Sequence, residues 1–106
     1  MVEYEADTLS RSLKALADPT RREILSRLSG TELTVGVLAE PFNMSLAAVS
    51  KHLKVLEQAQ LVEKVRDGTS YRCRANLAPL AEVTELLERL GSFWRGRLDQ
   101  LEEIFK

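Results

Sequence analysis

Residues 45–58 read SLAAVSKHLKVLEQ, and the first twelve of them hold Lys51, Lys54 and the only histidine of the chain, His52, without a single carboxylate. On a helical wheel advancing about 100° per residue, Leu46, Val49, Leu53 and Leu56 gather on one side. Ala47, Ser50, Lys51, Lys54 and Gln58 fall opposite, with His52 at the border. One face is thus apolar and the other is small and cationic. A helix entering a DNA major groove about 12 Å wide must present short residues where its backbone comes closest, with hydrogen-bonding groups around them. Ser50 and Gln58 can donate to or accept from base edges, Lys51 and Lys54 can reach guanine acceptors or phosphates, and His52 suits a phosphate or operator contact. A carboxylate on that face would meet phosphate repulsion. Ser45 in front of the run is a helix cap and is counted with Ala47 among the expected DNA contacts.

The flanking segments frame this helix. Leu9, Leu13 and Leu16 carry helical spacing. In ADPTRREILSRL, residues 17–28, Asp18 is suited to cap and Pro19 to open a second helix, whose buried side is Ile24, Leu25 and Leu28; Ser29-Gly30 ends it. Thr34 caps a third, short helix through Val35, Val37, Leu38 and Ala39, which stops near Pro41. Asn43, tolerant of the left-handed conformation, fits a tight turn into the fourth helix, which runs to about Ala59. Then the period changes. LVEKVRDGTSYRCRA, residues 61–75, alternates, turns at Asp67-Gly68 and returns, which is a hairpin signal. Arg66, Thr69, Arg72 and Arg74 near its tip form a basic wing able to follow a phosphate backbone. Pro79 opens a last helix with an apolar stripe of Leu80, Val83, Leu87, Leu90, Trp94, Leu98, Leu101 and Phe105. At ~1.5 Å per residue it is roughly 40 Å long.

The expected fold is therefore mainly α with a small β-hairpin wing: a winged helix-turn-helix ordered α-α-α-α-β-β-α, with residues 1–106 as one domain. A stripe as long as the last one exceeds what so small a body can cover. A homodimer built by the terminal helices, with Leu9 and Leu13 joining the stripe, is the expected cover.

The formal net charge is only −1, but it is unevenly spread. Residues 1–9 carry three acids and no base, residues 45–74 six bases against three acids, and residues 82–106 six acids against four bases. That pattern suits a chain whose middle alone faces a polyanion. No run of 18 apolar residues and no charged-then-apolar leader is present, so no membrane partner is expected, and the lone Cys73 fits a cytoplasmic setting. No P-loop, dinucleotide turn or paired metal ligands appear, so neither an enzyme nor a cofactor is expected. Cys73, between Arg72 and Arg74, is read as an inward-facing strand residue; its alternative is a redox sensor whose thiol those charges would activate.

LADPTRREILSRL (16–28), LAEPFNMSLAAVSKHLKVLEQAQLV (38–62) and DGTSYRCRA (67–75) resemble the ArsR family of bacterial winged-helix repressors. The S-x-x-x-V-S-x-H-L-x-x-L pattern from Ser45 to Leu56 is the most specific part. The resemblance implies a homodimer that represses transcription at an operator near its own promoter, often released by an inducer. For this chain the inducer is left open; a pocket at the dimer interface is one place for it. Where many family members carry a Cys-rich metal pattern, this chain has Thr34, Val35, Gly36 and Val37, and its last helix offers Asp99, Glu102 and Glu103 without histidine. It looks closest to the metal-independent branch.

Overall fold

The computed structural model describes residues 7–105, with the side chain of Phe105 outside that description. The acidic stretch holding Glu3 and Glu5 also lies outside the described residues. Among the described residues five helices and three strands follow in the order α1 (Thr8–Leu16), α2 (Pro19–Leu28), β1 (Glu32–Thr34), α3 (Val35–Ala39), α4 (Leu46–Gln58), β2 (Val62–Asp67), β3 (Ser70–Ala75) and α5 (Leu80–Phe105).

The helix starts follow from short oxygen-bearing side chains. Asp7, Asp18, Thr34 and Ser45 each stand in extended conformation and accept a backbone N–H from the first turn of α1, α2, α3 and α4 respectively. Pro19 occupies the first turn of α2, where its missing N–H costs nothing. Behind these caps the apolar faces meet in one core. Ile24 and Leu28 of α2, Leu38 of α3, Val49, Leu53 and Leu56 of α4, and Leu61 are all fully buried. Arg27 ties α2 to the end of α3 by donating to the carbonyls of Val37 and Leu38.

The hairpin expected from the alternating residues is present, but it is part of a larger sheet. The strand order is β1-β3-β2, all antiparallel, with Leu33 opposite Cys73 and Thr34 opposite Arg72. β1 corrects the expected element order. At three residues it is too short to show a period-two pattern, and only its pairing with β3 makes it a strand. The turn also moves by one residue. Asp67 and Ser70 close the ladder, so Gly68 and Thr69 are the central pair. Only the first of them has positive φ, at 63°, the sign pattern of a type II′ turn.

Asn43 is not left-handed. The one described non-glycine residue with positive φ is Gln60, at 61°, in the bend from α4 into β2. That bend lets Leu61 return its N–H to the carbonyl of Leu56.

α5 is 26 residues long, and within the described residues it packs mainly against α1. Val83 is buried and Leu80 packs partly against the core, so the first turn of the stripe is covered within the chain, correcting their assignment to an open strip. Beyond it Leu87, Leu90, Trp94, Leu98 and Leu101 are all exposed, Leu87 by 60%. Phe93 and Ile104, absent from the expected stripe, are exposed beside it. Phe93 meets Trp94 edge-on at 5.5 Å, and the Arg97 guanidinium lies 4.8 Å over the Phe93 ring.

Candidate nucleic-acid interface

Two elements share the task of presenting polar groups. α4 is held by Val49, Leu53 and Leu56 in the core, which turns Ala47, Ser50, Lys51, Lys54 and Gln58 outward to exposed positions. Neither Lys51 nor Lys54 has an acidic partner within 4 Å among the described residues. Ser45 is exposed as well, with its hydroxyl accepting the Ala48 N–H at 3.1 Å. Leu46 departs from the expected apolar side. It is 57% exposed. Exposed Met44 precedes it, so the leading end of the helix is apolar at its tip.

His52 sits differently from its neighbours. Its ring is half-buried, and Nδ1 faces back toward α2, 3.4 Å from Arg21 Nη1 and 3.8 Å from Asp18 Oδ2. Asp18 Oδ2 also accepts the Arg21 backbone N–H at 3.1 Å. Partial burial pushes the Asp18 carboxyl up, but the Arg21 and Thr20 amides, the His52 ring and the Arg21 guanidinium together hold it below the usual carboxylate value.

The wing is less cationic than its residue count. Arg72 Nε donates to Asp67 Oδ2 at 2.8 Å, and Arg74 Nε donates to Glu63 Oε2 at 2.9 Å with Glu32 also within 3.7 Å. Lys64 lies 3.6 Å from Glu57. Arg72, expected as a free phosphate donor, is thus occupied by the acid at the other end of its own turn. Arg66 remains the hairpin cation without an acidic partner among the described residues. It donates to the Gly68 carbonyl and to the Tyr71 hydroxyl, and it lies 5.6 Å over the Tyr71 ring. Thr69 is exposed at the tip beside them. Tyr71 is not among the expected DNA contacts, although its half-exposed ring shapes this end of the hairpin.

Cys73 is fully buried on the central strand. Burial pushes its thiol up; Lys64 pulls the other way and Glu57 adds to the rise. Arg72 and Arg74 point to the opposite face with their acids, so they do not activate it. The inward-facing reading fits the geometry, and the redox-sensor alternative loses its physical basis.

A helix-turn-helix pair, α3 and α4, followed by a hairpin wing defines a winged helix-turn-helix DNA-binding regulator. Residues 16–65 match the family model described as "Helix-turn-helix domain". The transcriptional repressor SdpR of Bacillus subtilis is 43% identical over 60 residues, 57% of this chain and 67% of that protein. Among solved structures, an ArsR-like transcriptional regulator from Rhodococcus sp. RHA1 superposes with a TM-score of 0.70 at 37% identity, covering 92% of each chain. The homodimeric winged helix-turn-helix DNA-binding domain Mb0332 from Mycobacterium bovis does so with a TM-score of 0.65 at 29% identity, covering 87% of this chain and 88% of that one. The chain belongs to the ArsR family of transcriptional regulators. The family and fold are those of DNA-binding regulators, not enzymes. Among the described residues no helix is long and apolar enough to cross a membrane, and no three His, Cys, Asp or Glu side chains gather as a metal would need.

Proposed function

We propose that this chain is a homodimeric repressor of the cytoplasm that binds an inverted-repeat operator, near its own promoter, through two copies of α4. The observation that carries this reading is the exposed face of Ala47, Ser50, Lys51, Lys54 and Gln58, whose lysines have no acidic partner among the described residues, followed by a wing whose Arg66 likewise has none. The lysines supply phosphate or guanine contacts, Ser50 and Gln58 read base edges, and exposed Leu46 offers a surface for thymine methyl groups. Arg66 and Thr69 rest on the backbone beyond the groove. The exposed strip of α5, with Leu9 and Leu13 of α1, is the dimer face; the similar Mycobacterium bovis domain is homodimeric. Residues 1–106 then form one DNA-binding domain carrying its own dimerisation helices. Metal is not expected to act as an inducer, since Asp99, Glu102 and Glu103 bring no imidazole or thiol.

The test is charge reversal on the reading face. Lys51→Glu and Lys54→Glu should each abolish binding to a duplex enriched from a random-sequence pool by the wild-type protein, with helical content and dimerisation unchanged. Undiminished affinity in the double variant would sink the assignment.

A further inference from the structure

Arg21 spends its guanidinium on two helices at once. Nε donates to the Ala15 carbonyl at 2.6 Å and Nη2 to the Lys14 carbonyl at 3.0 Å, both at the open C-terminal end of α1. The remaining nitrogen, Nη1, hydrogen-bonds to Nδ1 of His52 on α4 at 3.4 Å. A guanidinium has only donors. Its partner nitrogen on the ring must therefore be an acceptor, with a lone pair on Nδ1 and the imidazole proton on Nε2. Asp18, whose Oδ2 stands 3.8 Å from the same Nδ1, is the competitor: without Arg21 it would draw the proton onto Nδ1 instead. The two ring nitrogens lie on different edges, so the edge turned away from Arg21 and Asp18 carries the proton. His52 borders the face of α4 assigned above to DNA, and its side chain is only 23% exposed, which limits how far the ring can turn.

We propose that Arg21 is a positioning residue for DNA recognition: by bridging the end of α1 to His52 it fixes the imidazole as an Nε2–H donor toward the DNA backbone. The inference rests on the reading of α4 as the DNA-facing helix. Arg21 touches no DNA in this scheme; it acts through the ring. It also makes the end of α1 a fixed strut for α4, so one side chain serves both the packing of the helices and the orientation of the donor.

The chain has a single histidine, so one imidazole gives one unambiguous nitrogen spectrum. Long-range proton–nitrogen correlation, followed upward in pH until the ring nitrogen shifts stop changing, reads the tautomer of the neutral ring. Wild type should show the proton on Nε2 and a bare Nδ1, and Arg21→Met should move the population toward Nδ1–H. A wild-type ring protonated on Nδ1, or an even mixture, overturns the proposal. A second arm reads binding to the duplex enriched by wild-type protein. Arg21→Met should weaken it about tenfold, the scale of one lost hydrogen bond to a charged group. In a His52→Ala background the same substitution should matter less than about twofold, because the coupled partner is gone. An equal loss in both backgrounds would mean that Arg21 only holds the α1 carbonyls, and the proposal fails. Should Arg21→Met lose its fold, Arg21→Lys takes its place in the cycle, since an ammonium can serve the carbonyls but lacks the fork that also spans to the ring. The reading of the DNA face fails separately, through Lys51→Glu and Lys54→Glu. If those abolish binding while the cycle shows no coupling, the face stands and the Arg21 link falls.

Discussion

Gln60 holds φ at 61° without being a glycine, in the bend that swings the chain from α4 into the wing. A side chain in the left-handed region costs on the order of 1–2 kcal/mol, and glycine escapes that cost at the expense of a floppier unfolded chain. Gln60→Gly should therefore raise stability by about 0.5–1 kcal/mol, read as a higher urea midpoint with an unchanged slope. A lower midpoint would show that the Gln60 side chain has packing worth more than its strain. At the same scale the sequence misleads about charge. Counting Arg66, Arg72 and Arg74 suggests three free cations on the wing, yet two of them are engaged by Asp67 and by Glu63 with Glu32. Asp67 and Glu63 were visible in the sequence, but their pairings depend on strand register. Arg72 and Asp67 are brought together by the turn position, which shifts by one residue from the Asp-Gly signal.

Asp18 shows how one cap serves an element. Its carboxylate opens α2 by accepting the Arg21 N–H, and its ionised form is favoured in the fold, with its pKa below the usual value. A carboxyl depressed on folding adds stability above its unfolded pKa and loses that contribution as pH falls through its folded pKa. Asp18→Asn keeps a capping oxygen but cannot ionise, so its stability should lie below wild type at neutral pH. The two should converge as pH drops below about 4, in paired thermal melts. A constant gap across that range would mean that the loss is not the charge. The helices were the legible elements: α1, α2, α3 and α4 begin at Asp7, Asp18, Thr34 and Ser45, of which the last three are recognisable as caps before apolar periodic runs. β1 was not legible, since Glu32, Leu33 and Thr34 become a strand only through their partners forty residues on, Arg74, Cys73 and Arg72. Of the site, the outward positions on α4 followed from the helical period. The inward turn of the His52 ring did not, because it depends on where Asp18 and Arg21 lie in space.

The whole molecule is drawn out to 62 Å along its longest axis, far more than its other dimensions of 37 and 24 Å. The excess is α5, whose outer turns expose leucines and two aromatic rings along one side. Soluble monomers seldom expose contiguous apolar patches larger than a few hundred Å². With the dimer proposed here, Leu87→Glu together with Trp94→Glu should give a monomer by light scattering that stays folded, because neither side chain is buried in its own chain. That monomer should hold a two-half-site duplex far more weakly than wild type, since the second half-site no longer adds through effective concentration. A dimer that survives both charges places the interface elsewhere. A monomer that binds as tightly as wild type removes the need for two-fold recognition.

The fully buried Cys73 also makes the molecule a timepiece of its own opening. It is the only thiol, it lies on the middle strand of the sheet, and Leu33 and Lys64 flank it on the two neighbouring strands. A disulfide reagent can reach it only when a strand lifts away, so the labelling rate counts excursions of the wing from the body. Labelling should run far slower than for a thiol in urea-unfolded protein. Leu33→Ala, which trims a β1 side chain packed partly against the core, should speed it more than it shifts the global unfolding midpoint. Equal acceleration in both measures would mean that the sheet opens only when everything does, and that wing and core breathe as a single cooperative unit.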